Sequence, residues 1–161
     1  MPSASLRIDD MSAGDVSAAI AIDIEAFQPS EIGAGREDPR VLRDQQLREE
    51  IARPWARVRV ARRGDAVVGY ALVWHVVDEV HLLNVAVAAS ERRRGVARAL
   101  MDDLLAYARD KGVARILLEV RASNAPAISL YEAFGFTRFS VRERYYADGE
   151  DAIEMSLGVA G

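Results

Sequence analysis

Apolar residues recur along this chain at two different periods, and the changes of period divide it into helices and strands. A short extended run at residues 6–8 comes first. Ser12 and Asp15 then have capping-box spacing, and Val16, Ile20, Ile24 and Phe27 recur at helical intervals. Residues 28–39 are rich in Gly, Pro and charge and read as a loop. A second helix is predicted over Pro39–Ala52, with Val41, Leu42, Leu47 and Ile51 inward and Pro54 ending it.

The period then shortens to two. Residues 57–61 alternate, Arg63-Gly64-Asp65 turns the chain, and residues 67–77 form the hairpin partner. Another strand over 79–88 is almost continuously apolar from Leu82 onward, interrupted only by Asn84. Such a run suits a central strand covered on both faces. A third helix is predicted over 95–111, where Val96, Leu100, Leu104 and Tyr107 share one face and Lys111-Gly112 gives the stop. A strand at Arg115–Arg121, a short helix at 125–134 and closing strands at 136–145 and 152–157 complete the chain. The expected order is β-α-α-β-β-β-α-β-α-β-β, a mixed α/β sheet with helices on both faces. No internal repeat appears, and one domain over residues 1–161 is expected.

Composition narrows the chemistry. Half of the 161 residues are hydrophobic and 29% are charged, as in a soluble globular protein. A net charge of -4 speaks against direct nucleic-acid binding, because neutralising phosphates needs a basic surplus. With no cysteine there is no disulfide, thiolate metal site or cysteine nucleophile, and a cytoplasmic location is expected. Residues 1–6 lack the pattern of a signal peptide, and the longest apolar run, 66–77, is too short to span a bilayer, so no membrane role is expected. His75 and His81 stand alone, without a second histidine or carboxylate at ligand spacing, so no metal is expected.

The most informative segment is Ser90-Glu91-Arg92-Arg93-Arg94-Gly95-Val96-Ala97-Arg98, placed between an apolar strand and an amphipathic helix. Unpaired N–H groups at a helix start, together with the helix dipole, make an anion site. Gly95 permits unusual backbone angles there, and Ala97 keeps the next turn small. Three arginines beside a helix start also suit an ordinary solvated charge run. The Walker pattern and the three-glycine dinucleotide fingerprint are both absent.

Arg92-x-x-Gly95-x-Ala97 resembles the acetyl-CoA pyrophosphate signature of the GNAT superfamily N-acetyltransferases, Q/R-x-x-G-x-G/A. Flanking segments are similar to the RimI-like branch, the ribosomal-protein N-terminal alanine acetyltransferases. They are Leu82-Leu83-Asn84-Val85-Ala86-Val87, Leu118-Glu119-Val120-Arg121-Ala122-Ser123-Asn124, Ala127-Ile128-Ser129-Leu130-Tyr131-Glu132, Phe134-Gly135-Phe136, Arg144-Tyr145-Tyr146 and Glu150-Asp151-Ala152. The likeness is dense over 78–157 and thin before it.

The resemblance implies a GNAT fold, with a mostly antiparallel sheet of about seven strands splayed in the middle. It also implies acetyl-CoA as cosubstrate and a protein N-terminus as acceptor, with a small-subunit ribosomal protein beginning in alanine in first place. Val85, Ala86 and Val87 would pair with the pantetheine arm as an added strand would, beside a bulge. Arg92, Arg93, Arg94, Gly95, Val96, Ala97 and Arg98 would hold the pyrophosphate, and a backbone N–H near Val85 would hold the oxyanion.

Acetylating an amine needs a neutral nucleophile, a place for the oxyanion and a proton for the leaving thiolate. Glu119 sits within the apolar strand Ile116-Leu117-Leu118-Glu119-Val120, where a carboxylate is costly unless paired or employed. From the strand alone, an ion pair with Arg115 or Arg121 or an exposed face would account for it. In the family pattern this position is the general base. Tyr131 alone would read as a core residue on a short helix, whereas the pattern makes it the general acid on the CoA sulfur. Asn124 suits a helix cap and, by resemblance, a CoA contact. Asp78 and Glu79 could attract a cationic N-terminus or merely start a strand. Tyr145 and Tyr146 match the family's substrate-side pair, or else are edge-strand aromatics.

The chain departs from the pattern at several places. Arg92 stands for the commoner glutamine and Ala97 for a second glycine. Phe27-Gln28-Pro29-Ser30 replaces a segment that often carries Pro-Trp, and the loop before Glu150 is short. Another acceptor amine (a different N-terminus, a lysine, a small metabolite) and a catalytically silent CoA-binding module remain as competing readings.

Overall fold

The computed structural model describes residues 5–26 and 39–159. Its sheet has seven strands: β1 (Leu6–Asp10), β2 (Ala56–Arg63), β3 (Ala66–Val76), β4 (Glu79–Val87), β5 (Arg115–Arg121), β6 (Thr137–Arg142) and β7 (Ala152–Gly158). They lie in the order β1-β2-β3-β4-β5-β7-β6. The β4–β5 pair is parallel and the other pairs are antiparallel. Among the described residues four α-helices accompany the sheet: α1 (Val16–Ala26), α2 (Pro39–Ala52), α3 (Val96–Lys111) and α4 (Ala125–Ala133).

Helix α1 follows a 3-10 turn, Ala13–Asp15, in which the Asp15 carboxylate accepts the Ser12 N–H at 2.9 Å as the spacing suggests. Phe27, the loop after it and the departure at Phe27-Gln28-Pro29-Ser30 lie outside the described residues. Helix α3 begins after Gly95 and stops at Gly112, both with positive φ (86° and 65°). In α4, Asn124 Oδ1 accepts the Ala127 N–H at 3.2 Å, and Pro126 occupies the first turn, where its missing N–H is no loss.

The core forms on both faces of the sheet. On one, Val16, Ile20 and Ile22 of α1 and Leu47 of α2 pack with Val58, Val60, Tyr70 and Leu72. On the other, Met101, Leu104 and Leu105 of α3 and Ile128 of α4 cover Val80, Leu82, Ile116, Leu118 and Met155. Each fully buried aliphatic chain contributes about 1.5–3 kcal/mol, well above what an exposed pair such as Arg7–Asp9 adds. Packing, not surface pairing, sets the architecture.

One irregularity organises the middle of the sheet. Leu72 pairs with Asn84 while Val73 pairs with Leu82, so Leu83 is an inserted residue, a bulge. An insertion of one reverses which face each later residue meets. Before it, Val80 and Leu82 face α3. After it, Val85 and Val87 face α3 while Ala86 faces α1. The reversal is why this strand reads as a nearly unbroken apolar run. Nearby, a Cβ on Gly69 would meet Val96 Cγ1 at 2.8 Å and the Ala86 carbonyl at 2.9 Å, so only glycine lets the start of α3 rest on β3.

The closing strand expected over 136–145 stops at Arg142. Arg144 has φ of 52° and donates its N–H to Asp151 Oδ1 at 3.0 Å, which turns the chain. Tyr145 and Tyr146 therefore belong to a loop, not an edge strand.

Candidate active site

Pairing of β4 with β5 runs from Glu79–Arg115 to Leu82–Leu118 and does not continue past the bulge. A cleft of about 620 Å³ occupies the gap beyond. Asn84 and Val85 of β4 and Glu119 and Arg121 of β5 form its walls, with Asn124 and Tyr131 from α4. The second helix contributes Arg43 and Gln46, and the β6–β7 loop contributes Tyr145 and Tyr146.

Strand geometry decides what each wall offers. Ala88 donates its N–H to the Val68 carbonyl at 2.9 Å. Because antiparallel partners bond at alternate residues, the N–H groups of Val85 and Val87 face the gap instead. Ala86 does not reach it with its side chain, which is buried under α1. Along β5, Ile116, Leu118 and Val120 are buried against α3 and α4, so Leu117, Glu119 and Arg121 turn to the α1–α2 face. Asn84 points to that face too, since its amide meets Tyr70. Tyr131 packs on the opposite side, with the α3–α4 core.

The described ion pairs of the neighbouring arginines lead to other carboxylates. Arg115 holds Glu79 at 2.9 Å. Arg121 holds Asp148 at 2.8 Å and Glu150 at 2.9 Å, and its guanidinium lies 4.1 Å from the Tyr146 ring centre. Arg121 thereby ties the β6–β7 loop to β5 and keeps the two tyrosines at the cleft. Hydrogen bonding from Ser123, and then from Arg121, holds Glu150 below the usual carboxylate range. Burial pushes the Tyr131 phenol up to about 12, so it keeps its proton at neutral pH.

The turn from β4 into α3 carries the arginine run. Arg92, Arg93, Arg94 and Gly95 are exposed, Arg98 is exposed one turn later, and Val96 is buried. Arg93 and Gly95 both adopt positive φ, 63° and 86°. Nothing lies within 4 Å of a Cβ placed on Gly95, so the space above the helix start is open. Arg94 pairs with Glu91 at 3.4 Å, and no described ion pair engages Arg92, Arg93 or Arg98. Exposed N–H groups at a 16-residue helix start, flanked by these cations, fit a diphosphate.

Asp78 and Glu79 are not brought to the cleft. They sit at the paired end of β4, where Glu79 is engaged by Arg115, while the cleft opens at the other end. His75 hydrogen-bonds Tyr107 at 2.7 Å, away from the gap. Sequence reasoning missed Arg43, Gln46 and Asn84 as cleft residues. Asn84 gave a signal, as the one polar interruption of the apolar run from Leu82 onward; the two α2 residues gave none.

Residues 21–136 match the model of the acetyltransferase (GNAT) family. The chain belongs to that family. Over 97 residues it is 44% identical to the ribosomal protein bS18-alanine N-acetyltransferase of Escherichia coli strain K12, covering 58% of this chain and 66% of that enzyme, just under two-thirds of its length. A putative ribosomal protein bS18-alanine N-acetyltransferase of Bacillus subtilis strain 168 is 32% identical over 114 residues, 70% of this chain and 76% of that one. The crystal structure of the ribosomal-protein-S18-alanine N-acetyltransferase from Escherichia coli superposes with a TM-score of 0.82 at 31% identity, covering 98% of this chain and 96% of the other. The seven-stranded, mostly antiparallel α/β architecture is the GNAT fold, and GNAT acetyltransferases use acetyl-CoA.

Proposed function

We propose that this GNAT acetyltransferase moves the acetyl group of acetyl-CoA to the N-terminal α-amine of a protein, with a ribosomal protein beginning in alanine as the foremost acceptor. The names of its relatives support that acceptor. The observation that carries the chemistry is the placement of Glu119 and Tyr131 on opposite faces of the sheet, at the gap where β4 and β5 part.

The Val85 and Val87 N–H groups would pair with the pantetheine arm, and the turn at Arg92, Arg93, Arg94 and Gly95 would take the diphosphate. An α-amine has a pKa of about 8, so a modest base suffices to free its lone pair. Solvent takes the first proton of the ammonium, and Glu119, directly or through one water, is placed to take the second as the amide forms. The nitrogen then bonds to the thioester carbon, whose oxygen gathers charge against a β4 N–H near Val85. The C–S bond breaks, and the Tyr131 hydroxyl gives its proton to the departing sulfur, to be refilled from solvent. Base and acid are separated by the gap, so neither quenches the other.

The test is CoA release with peptides that differ only at residue one, alongside an α-blocked peptide with a free lysine. Fastest turnover of the alanine peptide is expected. Preference for the blocked peptide would reject the N-terminal reading. Absence of any calorimetric binding of acetyl-CoA would reject the cofactor assignment with it.

A further inference from the structure

Beneath the acceptor face of the cleft lies a buried polar cluster to which neither Glu119 nor Tyr131 belongs. Asp23 of α1 is 0% exposed. Its two carboxylate oxygens lie 2.6 and 2.7 Å from the Tyr70 hydroxyl, and Arg43 Nε donates to Oδ2 at 2.9 Å. Asn84 Nδ2 lies 2.6 Å from the same hydroxyl. Arg43 and Asn84 both reach the cleft. Well-packed apolar residues would hold this region at least as firmly as a buried ion pair, so stability alone does not explain the cluster.

The direction of every hydrogen bond follows from one charge. Asp23, ion-paired with Arg43, only accepts. Tyr70 has a single hydroxyl proton, which burial and then the Asp23 charge hold in place by raising its pKa. That proton goes to Asp23. The hydroxyl has only lone pairs left for Asn84, so the amide must turn its NH₂ inward; a flipped amide would set one acceptor against another. Asn84 Oδ1 then remains, and among the described residues it has no partner. It sits on the same face of the sheet as Glu119.

Resting on the reading of this cleft as an N-acetyltransferase site, we propose that Asn84 Oδ1 accepts one N–H of the reacting primary amine while Glu119 takes another, and that Asp23, Tyr70 and Arg43 are positioning residues that fix the direction of the Asn84 amide. Two acceptors on one face would hold two N–H bonds of the amine and leave its lone pair aimed across the gap. Any primary amine meets this requirement; a secondary amine, once neutral, has one N–H too few.

The test compares wild type, Asn84→Leu and Tyr70→Phe, with Leu47→Ala as a packing control on the same face of the sheet. Acceptors are an alanine-initiated peptide, its N-methylalanine counterpart and the α-blocked lysine peptide. Asn84→Leu is expected to lower kcat/KM for the preferred primary amine roughly tenfold, the worth of one hydrogen bond, with acetyl-CoA affinity unchanged. The preference for alanine over N-methylalanine should shrink by the same factor. Leu47→Ala should lower Tm and leave that preference intact. In Tyr70→Phe, the Asn84 side-chain NH₂ signals in a 15N spectrum should shift and exchange faster; unchanged signals would overturn the orientation argument even if the variant turns over poorly. An unaltered alanine preference in Asn84→Leu would overturn the contact with the amine. Preference of the wild type for lysine would reject the N-terminal reading alone, since the Asn84 comparison then proceeds on that amine, whereas acetylation of neither primary amine would reject both.

Discussion

The two faces of the gap are built from different materials. On the α1–α2 face stand Glu119, Asn84 and Arg43, backed by the buried pair of Asp23 and Tyr70. On the α3–α4 face the phenol of Tyr131 stands in apolar packing, beside Phe136 with ring centres 5.9 Å apart, and Asn124 adds a polar group at the start of α4. An amine must shed a proton on entering, which needs a polar, acceptor-rich surface. A thiolate must be met by a group that has kept its proton, and an apolar surround does that by raising the phenol's pKa. On the proposed mechanism, one cleft would run base and acid chemistry at a single pH because the sheet divides their environments.

Substitution can break that division one side at a time. The largest effect is expected on the polar face: Glu119→Gln should lower kcat by about 10²–10⁴-fold, with calorimetry showing unchanged acetyl-CoA affinity. Retained turnover would take the base away from this face. On the apolar face, Tyr131→Phe should cost about 10²-fold in kcat and spare both binding steps, and stopped-flow measurement of CoA release would show it. Gly95→Ala sharpens the contrast from the cofactor end. It forces a side chain into a left-handed position, φ 86°, and should weaken acetyl-CoA binding about tenfold while the acceptor KM stays put.

The smallest effect belongs away from the cleft, in the turn that precedes α1. Hydrogen bonding from Arg62, outweighing burial, holds Asp15 down at about 2 against an ordinary 3.8. A depressed carboxylate stabilises the fold above its unfolded value and loses that contribution as pH falls through the folded one. Urea midpoints should therefore show wild type ahead of Asp15→Asn by on the order of 1 kcal/mol above pH 4, the lead shrinking as pH drops toward 2. A lead independent of pH would mean that the charge contributes nothing.

Much of this was legible in the sequence, and unevenly so. The bounds of α2 and β5, the Asn124 cap and the Gly112 stop follow from local period and cap chemistry, which neighbours in the chain decide. The turn at Arg144 was hidden, because its signal is a backbone angle carried by an arginine, so the last hairpin was read too long. Asp78 and Glu79 suit either a cationic N-terminus or a plain strand start, and β4 carries them to the end away from the cleft. The Asp23–Tyr70 pair joins positions 47 residues apart, and no periodicity reports such a meeting. Asp23 and Asn84 nevertheless left a similar trace, each a polar residue between two apolar neighbours.

Gly69 has a kinetic corollary. With Val96 seated directly on β3, the first turn of α3 is held against the sheet, so a diphosphate taken there as proposed would meet a helix start already in place. The entropy of ordering that turn would then be surrendered during folding and not at each encounter, which would favour rapid capture of the diphosphate without a closing motion.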